Sequence, residues 1–133
     1  FSSYLGEVTN EFKGSNLETA IESALSKYGG GSTDYGHSFS DFMSLCLDDI
    51  DKKTTVVILG DARNNFGPDK AFLLKTVYER SKQVYWLNPE GKYRWNTGDS
   101  VMKTYSAYCT KVFECGTLEQ LEKVISTLLR TAI

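Results

Sequence analysis

Histidine is almost missing from this chain. His37 is the single one among 133 residues, and it is the only neutral imidazole available as base or metal ligand. Cysteine is scarce as well. Cys46, Cys109 and Cys115 form no Cys-x-x-Cys and have no histidine-rich partner, which argues against a zinc site. An odd, scattered set reads as reduced thiols and a cytoplasmic setting. No apolar run approaches ~18 residues, so nothing reads as a membrane span. The first residues, FSSYLGEVTN, have neither a basic region nor a long apolar core, so they do not read as a signal peptide. They also lack a starting Met, as expected of a fragment or a processed chain.

Charge of one sign is lacking too. Fifteen Lys and Arg against seventeen Asp and Glu leave a net charge of -2, which gives no electrostatic case for nucleic acid or an anionic membrane. Hydrophobic content of 41% and charged content of 24% are those of an ordinary globular domain. The length fits one domain with a real core.

Against these absences stands one strong stretch, Thr54–Asn65 (TTVVILGDARNN). Its β-favouring run reads as a buried strand that delivers Asp61 to a polar loop. Open α/β sheets place ligands at that carboxyl edge. Around it, helical periodicity appears four times. Ser15-Asn16-Leu17-Glu18 opens a first helix in a capping-box pattern, with Leu17, Ala20, Ile21, Ala24 and Leu25 on one face. Phe39, Phe42, Met43, Cys46 and Leu47 mark a second helix. Pro68 is placed to begin a third, with Ala71, Leu74, Val77 and Tyr78 as its stripe. Leu118, Leu121, Val124, Ile125, Leu128 and Leu129 mark the last. Further strands are expected at Gln83–Leu87 and Lys111–Cys115, with a weaker one at Tyr4–Thr9; Val101–Tyr105 reads as a helical turn. Strands alternating with amphipathic helices predict an α/β, three-layer fold: an open, mostly parallel sheet with helices on both faces.

Thr33 and Asp61 are the first candidate pair. Each sits in a loop after a regular or glycine-rich element, and a hydroxyl with a carboxylate supplies the hard oxygens that Mg²⁺ accepts. The same residues also serve commonly as caps of a helix and a turn. Arg63, Asn64 and Asn65 either offer donors to a partner's acidic residue or form a plain polar loop. Trp95, with Trp86, is either an interface anchor or core packing. His37, Ser38 and Asp41 contain the residue types of a hydrolase triad, but neighbours on a helix point in different directions, and no Gly-x-Ser-x-Gly elbow is present. The triple glycine Gly29-Gly30-Gly31 lacks the Gly-Lys-Ser/Thr of a phosphate loop. Gly98-Asp99-Ser100 has no strand before it and reads as a loop turn.

GGGSTDYG (29–36), VVILGDARNNFGP (56–68), VYWLNPE (84–90) and WNTGDSVMKTY (95–105) together resemble the bacterial CoxE-like proteins with a von Willebrand factor A (VWA) domain. The resemblance covers the chain from Phe1 into the last helix, and implies a single partial VWA domain over 1–133. VWA domains hold a metal-ion-dependent adhesion site (MIDAS) on three loops: one with Asp-x-Ser-x-Ser, one with a Thr and one with an Asp. The resemblance makes Thr33 the Thr and Asp61 the Asp. No Asp here has a Ser two residues on, so the first loop, with its strand, is expected upstream of Phe1, and this chain is expected to hold only part of the Mg²⁺ site. Strand 54–60 is then expected to be an open apolar edge through which a homodimer forms. The implied function is a non-enzymatic, Mg²⁺-assisted protein-interaction module, with Asp34, Arg63, Asn64, Asn65 and Trp95 as partner contacts. The implied partner is a MoxR-type AAA+ ATPase or a target metalloenzyme. A small α/β hydrolase using Asp61 or His37 and Ser38 is the competing reading.

Overall fold

Among the described residues, three short strands, each richer in branched or aromatic residues than its flanks, form one parallel sheet. They are β1 (Thr55–Leu59), β2 (Gln83–Asn88) and β3 (Lys111–Glu114), in the order β1-β2-β3. The computed structural model describes residues 10, 13, 16–28 and 33–131. The helices are α1 (Leu17–Tyr28), α2 (Tyr35–Cys46), α3 (Ala71–Arg80), α4 (Met102–Ser106) and α5 (Leu118–Thr131). Single 3-10 turns lie at Leu47–Asp49 and Lys92–Arg94. The expected strand Tyr4–Thr9 and the triple glycine lie outside the described residues.

In register, Val56 pairs with Val84 and Ile58 with Trp86, while Val57 pairs with Tyr85 and Leu59 with Leu87. Alternation then divides the sheet into two faces. Val84 and Trp86 join Tyr35 and Phe39 of α2, Leu74 and Val77 of α3, and Met102 and Tyr105 of α4 in the main core. Tyr85 and Leu87 join Val124 of α5, with Phe113, Leu121 and Leu128 alongside. Helices therefore cover both faces, and the α/β class with an open parallel sheet holds. β2 is buried along its whole length, as a central parallel strand should be.

Three local expectations need correction. β1 is buried on one face only: Leu59 is 69% exposed and Val57 41%. Asn16 caps α1, its Oδ1 accepting from Thr19 N at 3.0 Å, while Ser15 lies outside the described residues. Pro68 does not open α3. Lys70 precedes that helix in the left-handed region (φ 48°), and Asp69 Oδ1 accepts from Ala71 N at 2.9 Å. The apolar arc of α5 is buried by half: Val124 is inside, while Leu118, Ile125 and Leu129 are exposed.

Candidate functional site

β1 ends at Leu59, and through Gly60 the chain enters the loop 61–70 at the carboxyl edge of the sheet. A Cβ at Gly60 would lie 2.1 Å from the Tyr35 hydroxyl, so only glycine lets the first residue of α2 reach under the strand end. The Tyr35 hydroxyl accepts from Ala62 N at 3.2 Å and donates to Asp61 Oδ1 at 3.4 Å. Arg63 N donates to the same Oδ1 at 3.0 Å, so Asp61 does cap a turn, an Asx-turn. Its other oxygen, Oδ2, takes no hydrogen bond among the described residues.

Thr33 lies in the adjacent loop before α2. The cap of that helix is Asp34, not Thr33: Asp34 Oδ1 accepts from His37 N at 2.9 Å. This leaves the Thr33 hydroxyl without a capping task. The Thr33 carbonyl accepts from Asn65 Nδ2 at 3.4 Å, which ties the Thr33 loop to the Asp61 loop. The segment holding Thr33 and the loop holding Asp61 are thus tied together. Among the described residues no three His, Cys, Asp or Glu side chains cluster as a metal site.

The remaining loop residues hold the pair in place. Asn64 is 2% exposed. Its Oδ1 accepts from Tyr35 N at 2.6 Å, and its Nδ2 donates to the carbonyls of Gly67 at 3.0 Å and Pro68 at 3.1 Å. Arg63 joins three loops. Its guanidinium donates to Glu90 through Nε and Nη2, to Asp99 Oδ1 at 3.1 Å and to the Thr97 carbonyl at 2.9 Å. This fork geometry is one that arginine supplies and lysine does not. Asn65 N donates to Asp99 Oδ2 at 2.9 Å, and Val101 N to the Ala62 carbonyl at 2.8 Å. Arg63 holds the Glu90 carboxyl below its usual range, and the Asn65 amide followed by Arg63 does the same for Asp99.

Four non-glycine residues of this loop, Ala62, Asn65, Phe66 and Lys70, have positive φ (58°, 52°, 57° and 48°). Such conformations cost on the order of 1 kcal/mol each and persist where the surroundings impose them. Phe66 is consequently held at the loop tip, 84% exposed. Trp86 is fully buried, while Trp95 is half-buried against the main core with its Nε1 donating to the Glu90 carbonyl at 3.0 Å.

Other chemistry finds less support in the geometry. His37 Nε2 meets Asp41 Oδ1 at 3.4 Å, one turn along the same helix. Asp99 of Gly98-Asp99-Ser100 is engaged by Arg63 and Asn65. Burial pushes the Cys109 thiol up to about 12, so it stays protonated at neutral pH and is no nucleophile. Sequence reasoning missed Tyr35, Glu90, Asp99 and Phe66. Their roles depend on partners distant along the chain, and the one local signal was Asn64-Asn65-Phe66-Gly67-Pro68, which announces a turn without saying which way its phenyl points.

No curated protein and no solved structure matches the chain. The family described as VWA domain containing CoxE-like protein matches it over residues 1–124. With nearly the whole chain matched, and with a parallel sheet whose carboxyl edge carries Thr33 and Asp61, this chain belongs to the CoxE-like VWA family.

Proposed function

We propose that this chain is a non-enzymatic docking module that captures an acidic residue of a protein partner through a divalent metal ion. VWA domains generally mediate protein–protein interactions. The observation that carries the metal-assisted form is the state of Asp61. One carboxylate oxygen is fixed by Arg63 N and the Tyr35 hydroxyl, and the other takes no hydrogen bond among the described residues. The Thr33 hydroxyl and Asp61 Oδ2 are the groups that would hold Mg²⁺. The ion, when bound, links this edge to a carboxylate of the partner, with water and other oxygens filling its remaining positions. Asp34, Asn65 and Trp95 border the same edge, and Arg63 and Asn64 serve it by fixing the loop. The CoxE-like resemblance points to a MoxR-type AAA+ ATPase as the partner, in complex assembly or in maturation of a metalloenzyme such as the molybdenum-containing carbon monoxide dehydrogenase, in the cytoplasm of a bacterium.

The test is capture of a purified MoxR-type ATPase by the immobilised chain with Mg²⁺ or Mn²⁺ and with chelator. Metal-dependent capture, lost in Asp61→Ala, is the expected result, with no turnover of ester or phosphate substrates. Turnover that persists after chelation would sink the docking reading in favour of a hydrolase built on Asp61 or on His37 and Ser38.

A further inference from the structure

The buried hydroxyl of Tyr35 has a place in this fold that core packing does not explain. The ring belongs to an aromatic cluster, 5.6 Å from Trp86 and 6.0 Å from Tyr105 between centroids. A phenylalanine would fill that space. The hydroxyl instead passes under the end of β1, in a position that Gly60 keeps open. There it faces the Asp61 carboxylate and the Ala62 amide. Backbone and hydroxyl of the same residue thus grip one loop at two points. Tyr35 N binds Asn64 Oδ1, and Tyr35 Oη binds Asp61 Oδ1. Since Tyr35 lies two residues after Thr33, this double grip spans the two halves of the proposed site.

We infer that Tyr35 is a positioning residue: its hydroxyl turns the Asp61 carboxylate so that Oδ1 faces inward and Oδ2 faces the Thr33 loop. The metal-binding consequence rests on the docking reading above, whereas the orientation of the carboxylate does not. Tyr105 supplies the control. It is equally buried in the same cluster, but its hydroxyl donates to the Asp69 carbonyl at 2.9 Å, away from Asp61.

Two measurements on wild type, Tyr35→Phe and Tyr105→Phe separate the possibilities. The first is amide hydrogen exchange without metal, followed at Arg63, whose N–H is held by Asp61 Oδ1 and not by Tyr35. If Tyr35 sets the carboxylate, Arg63 exchanges about fivefold faster or more in Tyr35→Phe, the size expected from losing one long hydrogen bond to a charged group. Tyr105→Phe leaves that ratio, corrected for global stability, unchanged. An Arg63 amide equally protected in Tyr35→Phe and wild type overturns the inference. The second measurement is Mn²⁺ affinity by electron paramagnetic resonance, expected to fall in Tyr35→Phe and to hold in Tyr105→Phe. Equal affinities in Tyr35→Phe and wild type overturn the metal-binding consequence. A wild type that binds no Mn²⁺ refutes metal docking by this chain on its own, and the Arg63 amide alone then decides whether Tyr35 orients Asp61.

Discussion

Arg63 stands two residues from the proposed ligand Asp61, yet it adds little free positive charge there. Glu90 and Asp99 accept its guanidinium, so its charge is spent on holding three loops together. The consequence is a pH dependence whose sign follows from the two carboxyls. Both are held below their ordinary values, near 4.5 for Glu90 and 3.8 for Asp99, the first chiefly by Arg63 and the second by the Asn65 amide and then Arg63. A carboxyl lowered in the folded state contributes stability that is fully present above its unfolded value and is lost as pH falls through its folded value. The urea midpoint is therefore expected to hold from neutrality to about pH 5 and to decline below that. Arg63→Gln lowers the midpoint at pH 7, and the gap between variant and wild type narrows with acid because both carboxyls are then protonated. A gap as wide at pH 3 as at pH 7 would show that this network contributes nothing through its charges.

At the scale of elements, what was legible is what neighbours along the chain determine. Apolar runs of four to six residues gave β1, β2 and β3 nearly to their ends, because strand burial needs no more than local composition. Periodicity gave α2, α3 and α5. It misjudged how much of α5 would be covered, since six apolar positions spread over more of a helix than one sheet face can reach. At ~100° per residue Leu121, Val124 and Leu128 share one direction, and Leu118, Ile125 and Leu129 share another roughly a quarter turn away. The first set meets Tyr85 and Leu87, and the second meets water. Val124→Ala is thus expected to cost about 2 kcal/mol, from two lost carbons and a residual cavity. Ile125→Ala and Leu129→Ala should each stay within about 0.5 kcal/mol. Urea unfolding checks both, and equal losses at Val124 and Ile125 would contradict this burial. The candidate site was half legible for the same reason. Asp61 was visible as the residue a strand delivers. The Arg63 partners Glu90 and Asp99 lie 27 and 36 residues away in sequence, and no local pattern announces them.

At the scale of the whole molecule, β1 is the outer strand of the sheet among the described residues. There β2 is its one neighbouring strand, and no described strand pairs with its other side. The register puts Val57 and Leu59 on the same face as Tyr85 and Leu87, the face α5 covers over β2 and β3. Over β1 that cover fails, and both side chains are exposed. An apolar outer strand with no charged side chain of its own is a template for pairing with another chain. The chain is therefore expected to self-associate through β1, with an apparent mass in light scattering that rises with concentration. Leu59→Lys places a cation on the exposed face at the strand end, and should shift that rise to higher concentration while sparing the fold, since Leu59 gives up little buried area. Tyr85→Ala, by contrast, would disturb the covered part of that face and unfold rather than disperse. A wild type that stays a clean monomer at high concentration counts against pairing at β1. Association unchanged by Leu59→Lys would move it elsewhere, with the outer apolar residues of α5 as the next surface to alter.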